Sequence, residues 1–262
     1  VSERGWELQR LNQDACWWLR LGAGAVVFDP WLIGGEVDLA RWFSEQWHTG
    51  PVAALHEVPA HQVVVISQSW ADHCHAETLA RWPEGPALLV VPDAIAAVRA
   101  ACPGRAVIEI PAWPSEVEVA GLRFCRVSRP WWHPPRYHAV RVRDAAGRSA
   151  LHAPHGLPAA LGAALADEHP IALVATSRRS FVLPWWLGGR VNPGPEAADA
   201  LVRACRAPAA IAVHDEDKRS AGLVTRLAQV GRAHGAGDAA VWRLLVGLER
   251  LRLHDEPAAP RG

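Results

Sequence analysis

The residues best suited to chemistry in this 262-residue chain are imidazoles and a carboxylate placed where apolar runs end. Asp72 and His73 follow the apolar run 62–67, and His75 stands two residues further on. His155 sits in a Pro154-His155-Gly156 turn behind the run 149–153, and His214 closes the run 209–213. Imidazole nitrogens with one carboxylate oxygen suit Zn²⁺, Fe²⁺ or Mn²⁺. Each of these residues has a plainer reading. Asp72 could cap a helix starting near His75, and any of the histidines could be a hydrogen-bonded loop residue.

The elements that must position these groups read first as short strands and then as an α/β alternation. Segments 6–11, 15–21 and 25–28 are short and β-rich, with Gly22-Ala23-Gly24 as the hairpin between the last two. Pro30 stops the third strand, since it cannot continue a ladder. Residues 37–47 read as a short helix or an extended loop. The spacing then predicts a helix over 76–82, a strand over 87–91, a helix capped by Asp93 and running to 101, and a strand over 106–110. Hairpins are predicted at 116–128, around Gly121, and at 137–153, across 144–147. Helices over 157–167, 195–205 and 220–231 alternate with strands over 171–175 and 209–213, and a last strand is predicted at 250–253. Linkers are short and composition is even, so residues 1–262 read as a single domain. Two β-rich halves with helices arriving later suggest two sheets face to face.

Composition narrows the function classes. Acidic and basic residues balance at 27 each, which gives no support to nucleic acid as a partner. No apolar run approaches the ~18 residues of a membrane span, and no leader precedes Trp6, so the expected setting is cytoplasmic. Five scattered cysteines without a CxxC pair read as reduced thiols. Arginine nearly replaces lysine, Lys218 being the single one, as a GC-rich bacterial gene would give.

The 14 tryptophans are the stronger anomaly. Trp131-Trp132 and Trp185-Trp186 lie in proline-flanked loops, and Trp70 lies beside Asp72. Rigid aromatic walls would suit an apolar small-molecule substrate or a lid, although packing onto the sheets explains them nearly as well. Arg178-Arg179 could hold an anionic substrate group or form a solvated turn. Neither a phosphate loop nor a Gly-x-Ser-x-Gly elbow is present.

The order of features carries a resemblance. A strand ends in Phe28-Asp29-Pro30-Trp31-Leu32, the next ends in Ile66-Ser67, a loop holds Asp72-His73, a hairpin ends in His152-Ala153-Pro154-His155-Gly156, and a last strand ends in Val213-His214. Over most of its length the chain resembles the metallo-β-lactamase superfamily, which implies a four-layer αββα sandwich. The family loop is His-x-His-x-Asp-His; here Gln68 and Trp70 stand at its first two histidines. A carboxamide is a weak ligand and an indole none, so the resemblance implies one empty site and one surviving site. The surviving site would hold one divalent metal ion, Zn rather than Fe or Mn, on Asp72, His73, His214 and His155. His133 would match a later-loop histidine, while His75 and Gln68 would stand behind the ligands. With the first-site histidines gone, the resemblance leaves Asp72, His133 or His75 as the general base. A metal-dependent hydrolase of an ester, amide or phosphoester follows. An iron oxidoreductase on the same fold and a metal-free binding protein are the competing expectations.

Overall fold

The computed structural model describes residues 5–128, 137–231, 241–243 and 248–253. Two seven-stranded sheets dominate it. The first runs Arg250–Leu253, Trp6–Arg10, Trp17–Leu21, Gly24–Phe28, Val63–Ile66, Ala87–Val90, Val107–Glu109 in spatial order. The second runs Trp242–Arg243, Ala209–Ala212, Ile171–Thr176, Ser149–Ala153, His138–Arg143, Leu122–Ser128, Val117–Val119.

Period-two alternation on the second sheet shows how the layers stack. Ala150, Leu173, Ala175 and Ile211 join one buried cluster with Trp17, Phe28 and Val64 of the first sheet. Their neighbours Leu151, Val174, Ala210 and Ala212 join another with Leu165 of helix Ala159–Glu168 and Leu201 of helix Pro195–Ala204. Side chains of successive strand residues point to opposite faces, so this sheet lies between the first sheet and those helices. On the other side, Leu79 and Val98 of helices Ala76–Ala80 and Ile95–Ala101 pack into the first cluster. The αββα order is complete.

Trp17 carries a polar contact across the inter-sheet core. Its ring stacks on Phe28 at 4.6 Å, and its Nε1 donates to His152 Nδ1 at 3.1 Å. Replacing Trp17 with Phe keeps the stacking partner and strands a buried acceptor. The expected cost is about 1–3 kcal/mol, read as a lower urea midpoint at unchanged m.

Three expectations fail locally. Asp93 caps no helix: it sits inside the turn Pro92–Ala94, Ala94 is the N-cap of Ile95–Ala101, and Asp93 Oδ1 accepts from His138 Nε2 at 2.9 Å. The helix predicted over 220–231 shrinks to Leu223–Leu227, because its flanks are used as strands. Arg219–Ala221 pairs with Ser44–Trp47, Gln229–Gly231 pairs with Ser180–Val182, and Gly222 turns between strand and helix at φ 101°. Likewise 37–47 holds no helix: Glu36–Asp38 and Ser44–Trp47 form a hairpin that completes a three-stranded sheet. These additions rise beside the carboxyl ends of the central strands and build the walls of a cleft.

Candidate metal centre

Five central strands send their carboxyl ends to one place. Gly24–Phe28 pairs in parallel with Val63–Ile66, and Ser149–Ala153, Ile171–Thr176 and Ala209–Ala212 pair in parallel with one another. Asp29, the loop 67–75, His155 and His214 therefore emerge at the same end of the sandwich, the usual place for sites in parallel sheets. Asp29 and His214 take the left-handed conformation, at φ 44° and 57°. Asp and His tolerate it better than most residues, and it turns the chain off the strand at each site residue.

Asp29 is fully buried and organises the centre. Its carboxylate accepts from Ser67 N at 2.7 Å and Ser67 Oγ at 2.5 Å, and Oδ2 accepts from His73 Nδ1 and His152 Nε2, each at 2.7 Å. Burial opposes ionisation, but the imidazoles of His73 and His152 outweigh it and hold Asp29 well below the usual carboxylate range.

Three imidazoles then meet edge to edge. His73 Nε2 lies 3.0 Å from His155 Nε2 and 3.0 Å from His214 Nε2. The far side of each ring faces an acceptor: His73 Nδ1 donates to Asp29, His155 Nδ1 to Asn192 Oδ1 at 2.8 Å, and His214 Nδ1 to Asp14 Oδ1 at 2.6 Å. All three rings thus carry their proton on Nδ1, which leaves three Nε2 lone pairs aimed at one another. Neutral rings would repel in that arrangement, and a cation between them removes the conflict. Asp72 adds an anionic donor, with Oδ1 3.7 Å from His73 Nε2. Burial lowers the pKa of His73, but Asp72 and Asp29 overcome it and raise the group to about 9, so the site favours positive charge. Such donor sets, each ring fixed by a partner behind it, fit a divalent metal.

The centre opens into a cleft of about 180 Å³. Asp72, His155 and His214 reach its floor, and Phe43, Trp70, Tyr137, Phe181, Leu183, Leu187 and Val224 line its walls. Behind Asp72 lies a knot of charge. Lys218 Nζ donates to Asp14 Oδ2 at 2.9 Å and stands 3.5 Å from Asp72 Oδ2. Glu36 is buried with neither carboxyl oxygen hydrogen-bonded. Burial first, then Asp38 and Asp72, push its pKa up to about 9. An unfolded Glu loses its proton near ~4.3. The folded state therefore holds one more proton between there and about 9, so stability falls as pH rises through that window. Glu36→Gln is expected to flatten this slope, seen as a Tm difference from wild type that grows from pH 5 to 9.

Neither family models nor curated protein sequences match the chain. Solved structures do. The metallo hydrolase Igni18 from Ignicoccus hospitalis aligns over 95% of this chain and 99% of its own, at TM-score 0.63 and 13% identity. The diiron β-hydroxylase CmlA from Streptomyces venezuelae aligns over 96% of this chain and 55% of its own, at TM-score 0.64 and 14% identity. The metallo-β-lactamase fold protein YhfI from Bacillus subtilis aligns over 95% and 99%, at TM-score 0.60 and 9% identity. The chain has the metallo-β-lactamase fold. At these identities the likeness concerns the fold alone.

Within that metallo-β-lactamase fold the structure brings together Asp72, His73, His155 and His214. Asp72 is no helix cap: His75 takes that role, its Nδ1 accepting from Thr78 N at 3.2 Å while Nε2 meets Gly35 O at 3.2 Å. Both nitrogens of His75 are thus engaged, one in the helix cap and one with Gly35 across 40 residues, and neither meets Asp72, His73, His155 or His214 in the hydrogen bonds described. Gln68 is likewise turned inward. Its Nε2 donates to His138 O at 2.7 Å and its Oε1 accepts from His138 N at 3.3 Å, so the amide fills the space beside the second sheet. Trp70 lines the cleft.

Trp185 and Trp186 do not line it; they are 80% and 58% exposed, and Leu183 and Leu187 of the same loop face inward instead. Arg179 lines the cleft but is tied to Glu216 O and to Asp217 Oδ1, so it anchors the loop after His214. His133, Trp131 and Trp132 lie outside the described residues. Sequence reasoning passed over Asp14, Asp29, His152, Asn192 and Lys218. Asp29 and His152 did stand in quoted motifs, the Asp-Pro-Trp-Leu turn and the hairpin end before His155, and Lys218 stood out as the single lysine; Asp14 and Asn192 had no such signal.

Proposed function

We propose that the protein is a metal-dependent hydrolase using one divalent ion, held by His73, His155 and His214 with Asp72 beside them. The convergence of three Nε2 lone pairs, each ring locked by an acceptor on Nδ1, carries this reading. Three nitrogens and a carboxylate suit Zn²⁺ best among common ions. Such an ion supplies Lewis acidity, which lowers the pKa of water and polarises the bond under attack. The chain's own residues do the rest. Asp29, Asn192 and Asp14 accept from the Nδ1 atoms and so turn each Nε2 toward the ion. Asp72, whose Oδ1 lies 3.7 Å from His73 Nε2, would add a negative charge to the donor set at the edge of the cleft. Phe43, Trp70, Phe181, Leu183 and Leu187 seat an apolar small-molecule substrate and exclude water from it.

Elemental analysis of protein purified without chelators tests the assignment. Zinc near one equivalent, lost when His73 and His155 are both replaced by Ala, is the expected result; a metal-free wild type would sink it. A second reading, iron-dependent oxidation, is favoured by the likeness to CmlA, a diiron enzyme. Iron in place of zinc in the same analysis would select it.

A further inference from the structure

The charge knot behind Asp72 has its own logic. Asp14 and Asp72 approach closely enough to share a cation, their ligand atoms lying within 4.8 Å of one another and of His214. What stands between them is the ammonium of Lys218, 2.9 Å from Asp14 and 3.5 Å from Asp72, its side chain only 12% exposed. The lysine packs against Trp31, with Nζ 5.1 Å from the ring centroid. Glu36 is a further buried carboxyl whose electrostatic surroundings include both aspartates and the lysine. It is 1% exposed, neither oxygen has a hydrogen-bond partner, and the charges acting on it are Asp38, Asp72, Lys218 and Asp14. A buried carboxyl without a partner is costly unless something else is meant to meet it.

We propose that Lys218 is the resident cation of a second, all-oxygen site formed by Asp14 and Asp72 with Glu36 as third carboxyl, a site that takes a divalent ion once the lysine is removed. The inference rests on the one-ion reading above, since Asp72 faces both centres. Asp14 joins them: one oxygen orients His214 and the other holds Lys218. Charge in the second site thereby fixes a ring of the first. A tethered ammonium supplies this charge at every metal concentration, whereas a second bound ion would not. Oxygen donors without nitrogen select Mn²⁺, Mg²⁺ or Ca²⁺ over Zn²⁺, which makes the two centres chemically separable.

The experiment loads the protein with Zn²⁺ and titrates Mn²⁺, following free Mn²⁺ by electron paramagnetic resonance. Wild type and Lys218→Arg are expected to take up none tightly, and Lys218→Ala one equivalent. Glu36→Gln placed on Lys218→Ala should weaken that uptake about tenfold or more, because affinity follows the count of charged ligands. If Lys218→Ala does not fold alone, Mn²⁺ should raise its Tm while leaving that of wild type unchanged. The proposal is overturned if Lys218→Ala neither binds Mn²⁺ nor is stabilised by it, if wild type binds it equally well, or if Glu36→Gln makes no difference. Failure of wild type to hold Zn²⁺ would instead refute the one-ion reading, so the two failures are distinct.

Discussion

Asp29→Ala is expected to lower the stability of the protein by about 3–5 kcal/mol, the range for removing one partner from a buried charged network. The carboxylate accepts four hydrogen bonds, from Ser67 N, Ser67 Oγ, His73 Nδ1 and His152 Nε2, and it has no exposure to water. Alanine leaves all four donors unsatisfied in the layer between the sheets. Asn at the same place would lose less, since one oxygen still accepts while the amide group meets a donor. Urea unfolding of both variants measures the difference, and a loss below about 1 kcal/mol for alanine would show that Asp29 is not the anchor described. The second readout is metal affinity. Losing the partner behind a ligand usually weakens binding about 10–100-fold, and Asp29 stands behind His73.

That dependence explains what the sequence could and could not reveal. Asp72, His73, His155 and His214 end apolar runs, so their position at strand ends was readable from periodicity and their grouping from the order of the resemblance. Periodicity suggested only two sheets face to face; the four-layer αββα arrangement was implied by the resemblance, and it holds in the structure. The partners that set the histidine tautomers were not readable. Asp14 meets His214 across 200 residues and Asn192 meets His155 across 37, and neither sits in a run with any period. Asp29 was visible only as the residue before a strand-stopping proline.

Small-scale errors had a common cause too. The 220–231 stretch has helical spacing, but edge pairing with Ser44–Trp47 and Ser180–Val182 overrode it. Trp185 and Trp186 attracted attention by residue type, while the turn Trp185–Leu187 turns Leu187, not the indoles, into the cleft. The walls of the site come from small added sheets whose hydrogen-bond partners lie far away in sequence, and these are what a one-dimensional pattern shows least.

His214→Ala is expected to weaken metal binding by more than about 100-fold, the upper end for loss of a mere supporting partner. The residue does two things at once. Its Nε2 completes the group of three nitrogens, and its Nδ1 ties the centre to Asp14 and through it to Lys218. Asp14→Asn separates them: the amide oxygen can still accept from Nδ1, so the ring keeps its tautomer, while the charge that holds Lys218 is gone. Metal affinity in Asp14→Asn should therefore fall far less than in His214→Ala. Competition against a chromophoric chelator gives both constants, and hydrolysis of a neutral aryl ester panel gives activity. If His214→Ala kept its metal and lost only turnover, His214 would be a proton-handling residue instead of a ligand, and the donor set would have to be drawn from His73, His155 and Asp72 alone.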